Sequence, residues 1–107
     1  KLLLQDVNIT NVSWDELGIQ NLDGQDFVYL DPPYYNTVTP YPNINHENLI
    51  DILNTCKCKW AVSGYDNEFY EKNLEYKNRH IKQRNSEIKS SNHKKYKPVV
   101  EMLWTNY

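Results

Sequence analysis

The sequence predicts an α/β domain in which helices cover a mostly parallel sheet and one antiparallel hairpin closes it at an edge. Three observations lead to this class. Segments typical of strands and of helices alternate along the chain. The runs Phe27 to Leu30 and Trp60 to Ser63 are short and largely apolar without polar alternation, as expected of strands covered on both faces. Two further strand candidates, His80 to Arg84 and Val99 to Thr105, flank a basic loop that a hairpin would join.

The first elements are predicted from short local patterns. Val7 to Thr10 alternates with period two and predicts a short strand. Ser13 and Glu16 have the spacing of a capping box, which predicts a helical turn that Gly18 ends. Phe27 to Leu30 is stopped abruptly by an Asp-Pro-Pro sequence. We therefore expect this run to be a central parallel strand.

Two helices are predicted on either side of the strand Trp60 to Ser63. Asn45 is a candidate N-cap for a helix from His46 to about Thr55. The apolar side of this helix would hold Leu49, Ile50, Ile52 and Leu53. Asp66 or Asn67 can cap a second helix that runs through about Tyr76. That helix would bury Phe69, Tyr70 and Leu74.

Length and composition fit one soluble domain over residues 1–107. Of the 107 residues 39% are hydrophobic and 24% are charged, and nine tyrosines are too many for a disordered chain. The apolar runs fall far short of the ~20 residues that cross a bilayer. No basic and apolar leader opens the chain. These features predict a cytoplasmic protein that does not contact a membrane.

The two cysteines predict free thiols in a reducing compartment. Cys56 and Cys58 are separated by one residue, so a bridge between them would close a small strained ring. Together with His46 the pair could ligate zinc, but a second ligand pair at a suitable spacing is absent from the sequence. We therefore predict no metal site and expect buried or half-buried thiols.

Positive charge is concentrated in residues 77–97. This segment holds eight lysines and arginines against one glutamate, so it carries +7 while the rest of the chain carries −9. Such asymmetry favours a strip that faces a polyanion, with phosphate as the natural counter-charge. The alternative is a solvated, partly disordered loop. Ser86 to Lys97, rich in serine, asparagine and lysine, is predicted to be mobile without its partner.

The most informative feature is the sequence Asp31-Pro32-Pro33-Tyr34, directly after an apolar strand. Ligands of open α/β sheets bind beyond the carboxyl ends of the strands, where Asp31 and the segment Ser63 to Asn67 are both expected. The tetrapeptide by itself also fits a stiff turn, with Asp31 accepting local backbone hydrogen bonds and Tyr34 packed in the core. Both interpretations follow from these residues alone.

Phe27 to Asn36 (FVYLDPPYYN) strongly resembles the catalytic motif of DNA adenine N6-methyltransferases, in particular the D12 class with its Dam-like enzymes. The resemblance extends to other segments of the chain. These are His46 to Leu49, Ser63 to Asp66, Arg84 to Ser91 and Glu101 to Tyr107. It implies a partial Rossmann-like methyltransferase sheet, S-adenosylmethionine as cofactor and a flipped adenine of double-stranded DNA as substrate. The biological role would be restriction protection or methyl marking.

This resemblance assigns catalytic roles to Asp31, Pro32, Pro33 and Tyr34, and the chemistry explains the residue types. The adenine amino nitrogen is a poor nucleophile because its lone pair is delocalised into the ring. Acceptors such as the Asp31 carboxylate and the Pro32 carbonyl can draw that lone pair out of conjugation. Pro33 stiffens the loop, and Tyr34 offers a flat face to an extruded adenine. Asp31 is also expected near the cofactor.

Residues of the catalytic loop and of the closing hairpin are expected to contact DNA. Tyr35 and Asn36 extend the catalytic loop with groups suited to a base or a sugar. The segment Ser90, Ser91 and Asn92 resembles a hairpin region of the family near the target base, although His93 stands where the family commonly has glycine. Nearby lysines fit phosphate contacts, which position a duplex without reading its sequence. These are Lys94, Lys95 and Lys97.

The family's glycine-containing cofactor loop, its ribose-binding acid and its target-recognition region have no counterpart in this sequence. Gly18, Gly24 and Gly64 are too far apart to form such a loop. We therefore expect the C-terminal portion of a methyltransferase catalytic domain, inactive alone, completed by a missing N-terminal part or self-associating through an exposed sheet edge. The alternatives are a non-catalytic binding or assembly module, and methylation of RNA or of a protein glutamine, which uses a related Asn-Pro-Pro-Tyr motif.

Overall fold

The computed structural model of the chain describes residues 7–37, 42–90 and 93–107, and of residues 86–90 and 93–97 it describes the backbone. Helices and strands alternate as an α/β fold. Two short 3₁₀ turns precede the regular elements, which we number in chain order. They are β1 (Phe27–Leu30), α1 (His46–Thr55), β2 (Lys59–Tyr65), α2 (Glu68–Asn73), β3 (Asn78–Ser90) and β4 (His93–Thr105).

The four strands form one mixed sheet in the order β1-β2-β4-β3. β1 and β2 are parallel, whereas β4 is antiparallel to both β2 and β3. The prediction of a mostly parallel sheet is therefore wrong for the described strands, although the antiparallel hairpin at the end of the chain is confirmed. The physical reason is that β4 returns between β2 and β3, so the reversed strand has an antiparallel neighbour on each side.

β1 lies at the edge of the described sheet and is not covered on both faces as predicted. Phe27 and Tyr29 are 55% and 58% exposed, while Val28 and Leu30 pack against the core. Within the described ranges β1 pairs only with β2, because Val7 to Thr10 forms no strand and is exposed. An apolar run without alternation thus belongs here to an edge strand with one open face.

α1 and α2 cover one face of the sheet and build the core with it. The buried cluster contains Leu49, Ile50, Leu53, Trp60, Val62, Tyr70, Leu74, Met102 and Trp104. The indole N–H of Trp60 donates to the backbone oxygen of Leu53 at 2.9 Å, which joins β2 to α1. This bond satisfies a buried donor that would otherwise destabilise the core.

Side-chain caps fix where the two helices begin. Asn45 accepts a hydrogen bond from the backbone of Asn48 at 3.0 Å, as predicted for α1. Asn67, one of the two predicted candidates, caps α2 by accepting from the backbone of Tyr70 at 2.8 Å. α2 ends at Asn73 and not near Tyr76, because the backbone is already extended where Leu74 enters the core.

The predicted capping box at Ser13 is not formed. The segment Trp14–Glu16 is a single 3₁₀ turn, and Ser13 makes no side-chain cap hydrogen bond. Gly18 then adopts a left-handed backbone with φ of 71°, a conformation that glycine accepts without steric cost. The spacing of a capping box needs a following α-helix, and the chain turns away before one can form.

The basic segment is more regular than its composition suggests. The prediction of a loop between the last two strands is wrong over its described part, because β3 continues to Ser90 and β4 begins at His93. The mobility expected of Ser86 to Lys97 stays a prediction. The ladder pairs Ser86 with Lys97 and Ser90 with His93. An antiparallel ladder satisfies backbone groups without needing a core, so a polar sequence can extend it.

The cysteines are free thiols close to the core. Cys58 is buried and Cys56 is half-buried, with the two sulfurs 3.5 Å apart. Burial and the neighbouring thiol raise the pKa of Cys56 to about 11, so this thiol stays protonated and unreactive at neutral pH.

In the part of the chain that the structure describes, no cluster of three or more His, Cys, Asp or Glu side chains could hold a metal ion. Across the same residues, no helix is long and apolar enough to span a membrane.

Glu71 of α2 ties the helical layer to the last two strands. Its carboxylate accepts from the Tyr76 hydroxyl at 2.6 Å, from Arg79 at 2.9 Å and from the Trp104 indole at 3.3 Å. Burial by itself would raise the pKa of Glu71, but these three hydrogen bonds outweigh burial and hold the pKa below its ordinary value. The charged form of Glu71 therefore stabilises the fold.

We expect Glu71→Gln to make the free energy of unfolding depend less on pH in the acid range. A lowered folded-state pKa contributes stability above the unfolded value of about 4.3, and this contribution is lost as the pH falls through the folded value. Urea midpoints between pH 3 and 7 measure the effect. Glu68→Gln is the matched control, since Glu68 forms an exposed pair with Lys72 on the same helix. Equal profiles for both variants would contradict the role of Glu71.

Candidate functional site

The carboxyl ends of β1 and β2 bring Asp31 next to Ser63. Leu30 and Val62 form the last pair of the parallel ladder, so the residues that follow them are neighbours across the two strands. The Ser63 hydroxyl donates to Oδ1 of Asp31 at 2.6 Å. The Leu30 carbonyl lies 3.4 Å from the same hydroxyl. Because a serine has one proton, the shorter bond to the charged carboxylate is favoured.

Tyr34 folds back over the same strand end. Its ring meets the ring of Tyr65 edge to face, with centroids 4.5 Å apart. Burial raises the pKa of Tyr34. The Tyr29 hydroxyl lies 3.5 Å from Oγ of Ser63, at the outer limit of a hydrogen bond. Both ends of the Asp-Pro-Pro-Tyr sequence therefore lie near Ser63, which bonds Asp31 and lines one cavity with Tyr34.

The Asp-Pro-Pro-Tyr loop lies between two cavities. One, of about 300 Å³, opens on the sheet face away from the helices and is lined by Tyr29, Tyr34, Ser63, His80, Lys82 and Leu103, among others. The other, of about 260 Å³, is lined by Trp14, Tyr29, Leu30, Asp31, Pro32, Pro33, Ile44 and Leu49. Asp31 and the two prolines line the second cavity, and Tyr34 lines the first. The loop thus contributes residues to two separate cavities.

The two cavities differ in chemistry. Charged groups of both signs line the first, namely Lys82 of β3 and Glu101 of β4, and Glu101 pairs with Arg84 at 2.8 Å. The second cavity is mostly apolar, with Asp31 as the charged group at its wall. A carboxylate beside an apolar cavity suits a ligand that combines an aromatic ring with donor groups.

Tyr35 and Asn36 lie in a different place from Tyr34. The Tyr35 ring stacks on Phe69 of α2, with centroids 4.7 Å apart and an angle of 8° between the planes, and it meets His46 edge to face. Tyr35 and Asn36 line a third cavity of about 610 Å³ beside Asp66 and other residues of the β2–α2 connection. The structure thus brings Asp31 and Tyr34 together and places Tyr35 on the helical side. The base or sugar contact of Tyr35 stays a prediction.

The expected DNA-binding residues of the hairpin fall partly beyond what the structure describes. Ser91 and Asn92 lie outside the described residues. For Ser90, Lys94, Lys95 and Lys97 the structure gives the backbone, which places them in the distal half of the β3–β4 ladder. Their side-chain contacts stay predictions.

The sequence placed Ser63 to Asn67 at the end of the second strand but gave Ser63 no role of its own. Tyr29 was likewise overlooked. Alternation along a strand could have found Tyr29, because residues two apart share a face and Tyr29 precedes Asp31 by two positions. Ser63 could have been found only from the register of the parallel pair.

Comparisons of the chain with protein-family models, with curated proteins and with solved structures returned no match. The function is therefore inferred from the geometry and chemistry of the site together with the sequence resemblance.

Proposed function

We propose that these residues belong to a site-specific DNA adenine N6-methyltransferase that uses S-adenosylmethionine, and that the four strands are part of a Rossmann-like methyltransferase sheet. One observation carries the proposal. The Asp-Pro-Pro-Tyr loop stands between two cavities at the carboxyl end of a parallel strand, where a reaction between two bound molecules needs its catalytic groups. The hairpin that follows agrees with the arrangement that the resemblance implies.

The residues at the second cavity suit one part of the proposed cofactor, its aromatic base. Trp14, Leu30 and Ile44 provide apolar wall for an aromatic base, and the Asp31 carboxylate at the wall can accept hydrogen bonds from amino or hydroxyl groups. When bound, S-adenosylmethionine supplies an activated methyl group. The remaining work of the protein is then to orient the acceptor and exclude water.

Asp31 and Pro32 would orient and activate the acceptor. A carboxylate oxygen of Asp31 and the carbonyl oxygen of Pro32 can accept the two hydrogens of an adenine amino group, which localises the lone pair on nitrogen. Proline at position 32 removes a backbone donor that would compete for these acceptors. Tyr34 offers its ring to the flipped base and thereby offsets part of the lost stacking, a cost of a few kcal/mol.

Methyl transfer from radiolabelled cofactor tests the proposal directly. The full-length protein, including any coding sequence upstream of Lys1, is incubated with an adenine-containing duplex, and the digested DNA is searched for N6-methyladenine. Structured RNA and glutamine-containing peptides serve as parallel substrates. Label in N6-methyladenine of DNA supports the proposal. Label only in RNA or peptide, or none in any substrate, would contradict it.

We expect combined replacement of Lys94, Lys95 and Lys97 by alanine to weaken DNA binding alike for all sequences. Removing three phosphate contacts lowers the number of released counterions, so the dependence of affinity on salt becomes shallower. Titrations of labelled duplexes at several salt concentrations measure the slope. The matched control is Lys57, Lys59 and Lys72 changed together, which lie outside the basic segment. A changed sequence preference with an unchanged slope would contradict phosphate contacts.

A non-catalytic assembly module is the second candidate, and the edge of β1 favours it. Within the described residues β1 has a partner on one side only, and Phe27 and Tyr29 are more than half exposed there. Unpaired strand edges with apolar side chains promote pairing with other chains. We expect residues 1–107 alone to self-associate with rising concentration and to show no cofactor-dependent activity. A stable monomer in light scattering that binds the cofactor at micromolar concentration would contradict this expectation.

A further inference from the structure

We propose that Ser63 is a positioning residue that fixes the carboxylate of Asp31 relative to the neighbouring strand β2. This inference rests on the proposed function for its catalytic consequence, but its structural part stands independently. The hydroxyl of Ser63 comes from β2, whereas Asp31 and Tyr34 belong to the loop after β1. A single side chain therefore joins the loop to the rigid neighbouring strand.

The distances show what this hydroxyl can do. It donates its one proton to Oδ1 of Asp31 at 2.6 Å, within the range of charge-assisted O–H···O bonds. Its lone pairs remain available to the Tyr29 hydroxyl, which lies 3.5 Å away. One carboxylate oxygen is thus held, which leaves the other oxygen of Asp31 with a defined direction for a donor in the substrate.

The strand makes Ser63 a good anchor. Its backbone lies opposite Leu103 of β4, and the neighbouring residues Val62 and Gly64 are buried, so β2 cannot shift easily at this point. In its described part, residues 31–37, the loop after β1 forms no ladder that would hold it. Without the Ser63 hydroxyl, Asp31 can rotate among its side-chain rotamers, and the rotamer that serves the reaction is populated only part of the time.

The catalytic test compares Ser63→Ala and Ser63→Thr in the full-length protein. The matched control is Ser13→Ala. Ser13 is exposed and makes no side-chain cap hydrogen bond. We expect Ser63→Ala to lower kcat about tenfold to hundredfold with little change in KM. This factor corresponds to the usual free-energy contribution of a hydrogen bond to a charged group. Threonine keeps the hydroxyl and suits a strand, so it should restore most of the rate. Equal kcat for alanine and wild type would overturn the inference.

A second measurement uses the same full-length variants and needs no activity. Three-bond NMR couplings report the χ1 angle of Asp31. We expect one dominant rotamer in the wild type and in Ser13→Ala, and averaged couplings in Ser63→Ala. A single unchanged rotamer in Ser63→Ala would overturn the inference. If the wild type transfers no methyl group but the Asp31 couplings become averaged in Ser63→Ala, the proposed function fails. The positioning of Asp31 by Ser63 is then still supported.

Discussion

Asp31→Ala is expected to lower methyl transfer by at least about 100-fold, comparable to the loss of one preorganised polar group in other active sites. The reason is the position of its carboxylate. Asp31 follows the last residue of β1, lines the more apolar cavity and accepts a hydrogen bond from the Ser63 hydroxyl. Alanine removes the acceptor that would localise the lone pair of the adenine nitrogen. Single-turnover transfer of label to a duplex in the full-length protein measures the effect.

The matched control for this change is Asp51→Ala, an exposed position within α1 where alanine also favours the helix. Cofactor affinity is measured separately by calorimetry, because Asp31 is expected near the cofactor as well, and we expect it to change less than the rate. Asp31→Asn adds information, since the amide keeps one acceptor oxygen but loses the charge. A wild-type rate in Asp31→Ala would refute the role assigned to this carboxylate.

Trp104→Ala is expected to lower the free energy of unfolding by about 3–5 kcal/mol, the usual cost of removing a large buried aromatic side chain. Trp104 is fully buried, and its ring stacks on Tyr70 with centroids 5.2 Å apart. A Cβ at Gly64 would lie 3.0 Å from the same ring, so the ring packs closely against the backbone of β2 at this glycine. Folded domains of this kind are stable by only about 5–15 kcal/mol, so the variant would be close to unfolding.

Urea unfolding followed by circular dichroism measures this loss. Trp14→Ala is the matched control, because Trp14 is the same residue type but only packs against the rim of the core. We expect Trp14→Ala to lower the free energy of unfolding by less than half as much as Trp104→Ala. Trp104→Phe keeps an aromatic ring and loses the hydrogen bond to Glu71, so it should fall between the two. An unchanged unfolding midpoint for Trp104→Ala would show that this residue does not hold the layers together.

Local sequence signals determined the helices and the position of the candidate site. α1 begins where Asn45 can cap it, and its apolar residues recur at helical spacing, so its bounds follow from short windows of sequence. The strand at Trp60 and the closing hairpin follow in the same way from apolar runs and turn signals. The placement of Asp31 directly after a strand needed nothing beyond its immediate neighbours. Each of these features depends on residues within a few positions of one another.

Only the tertiary structure decided the strand order, the exposure of β1 and the partner of Asp31. β4 enters the described sheet between β2 and β3, and β1 lies at the opposite edge from β3 with Phe27 and Tyr29 exposed. The register of the parallel pair then sets Ser63 beside Asp31, although 32 positions separate them in sequence. Local windows carry no information on such pairings, because the free energy that selects them comes from contacts between distant segments packed on one core.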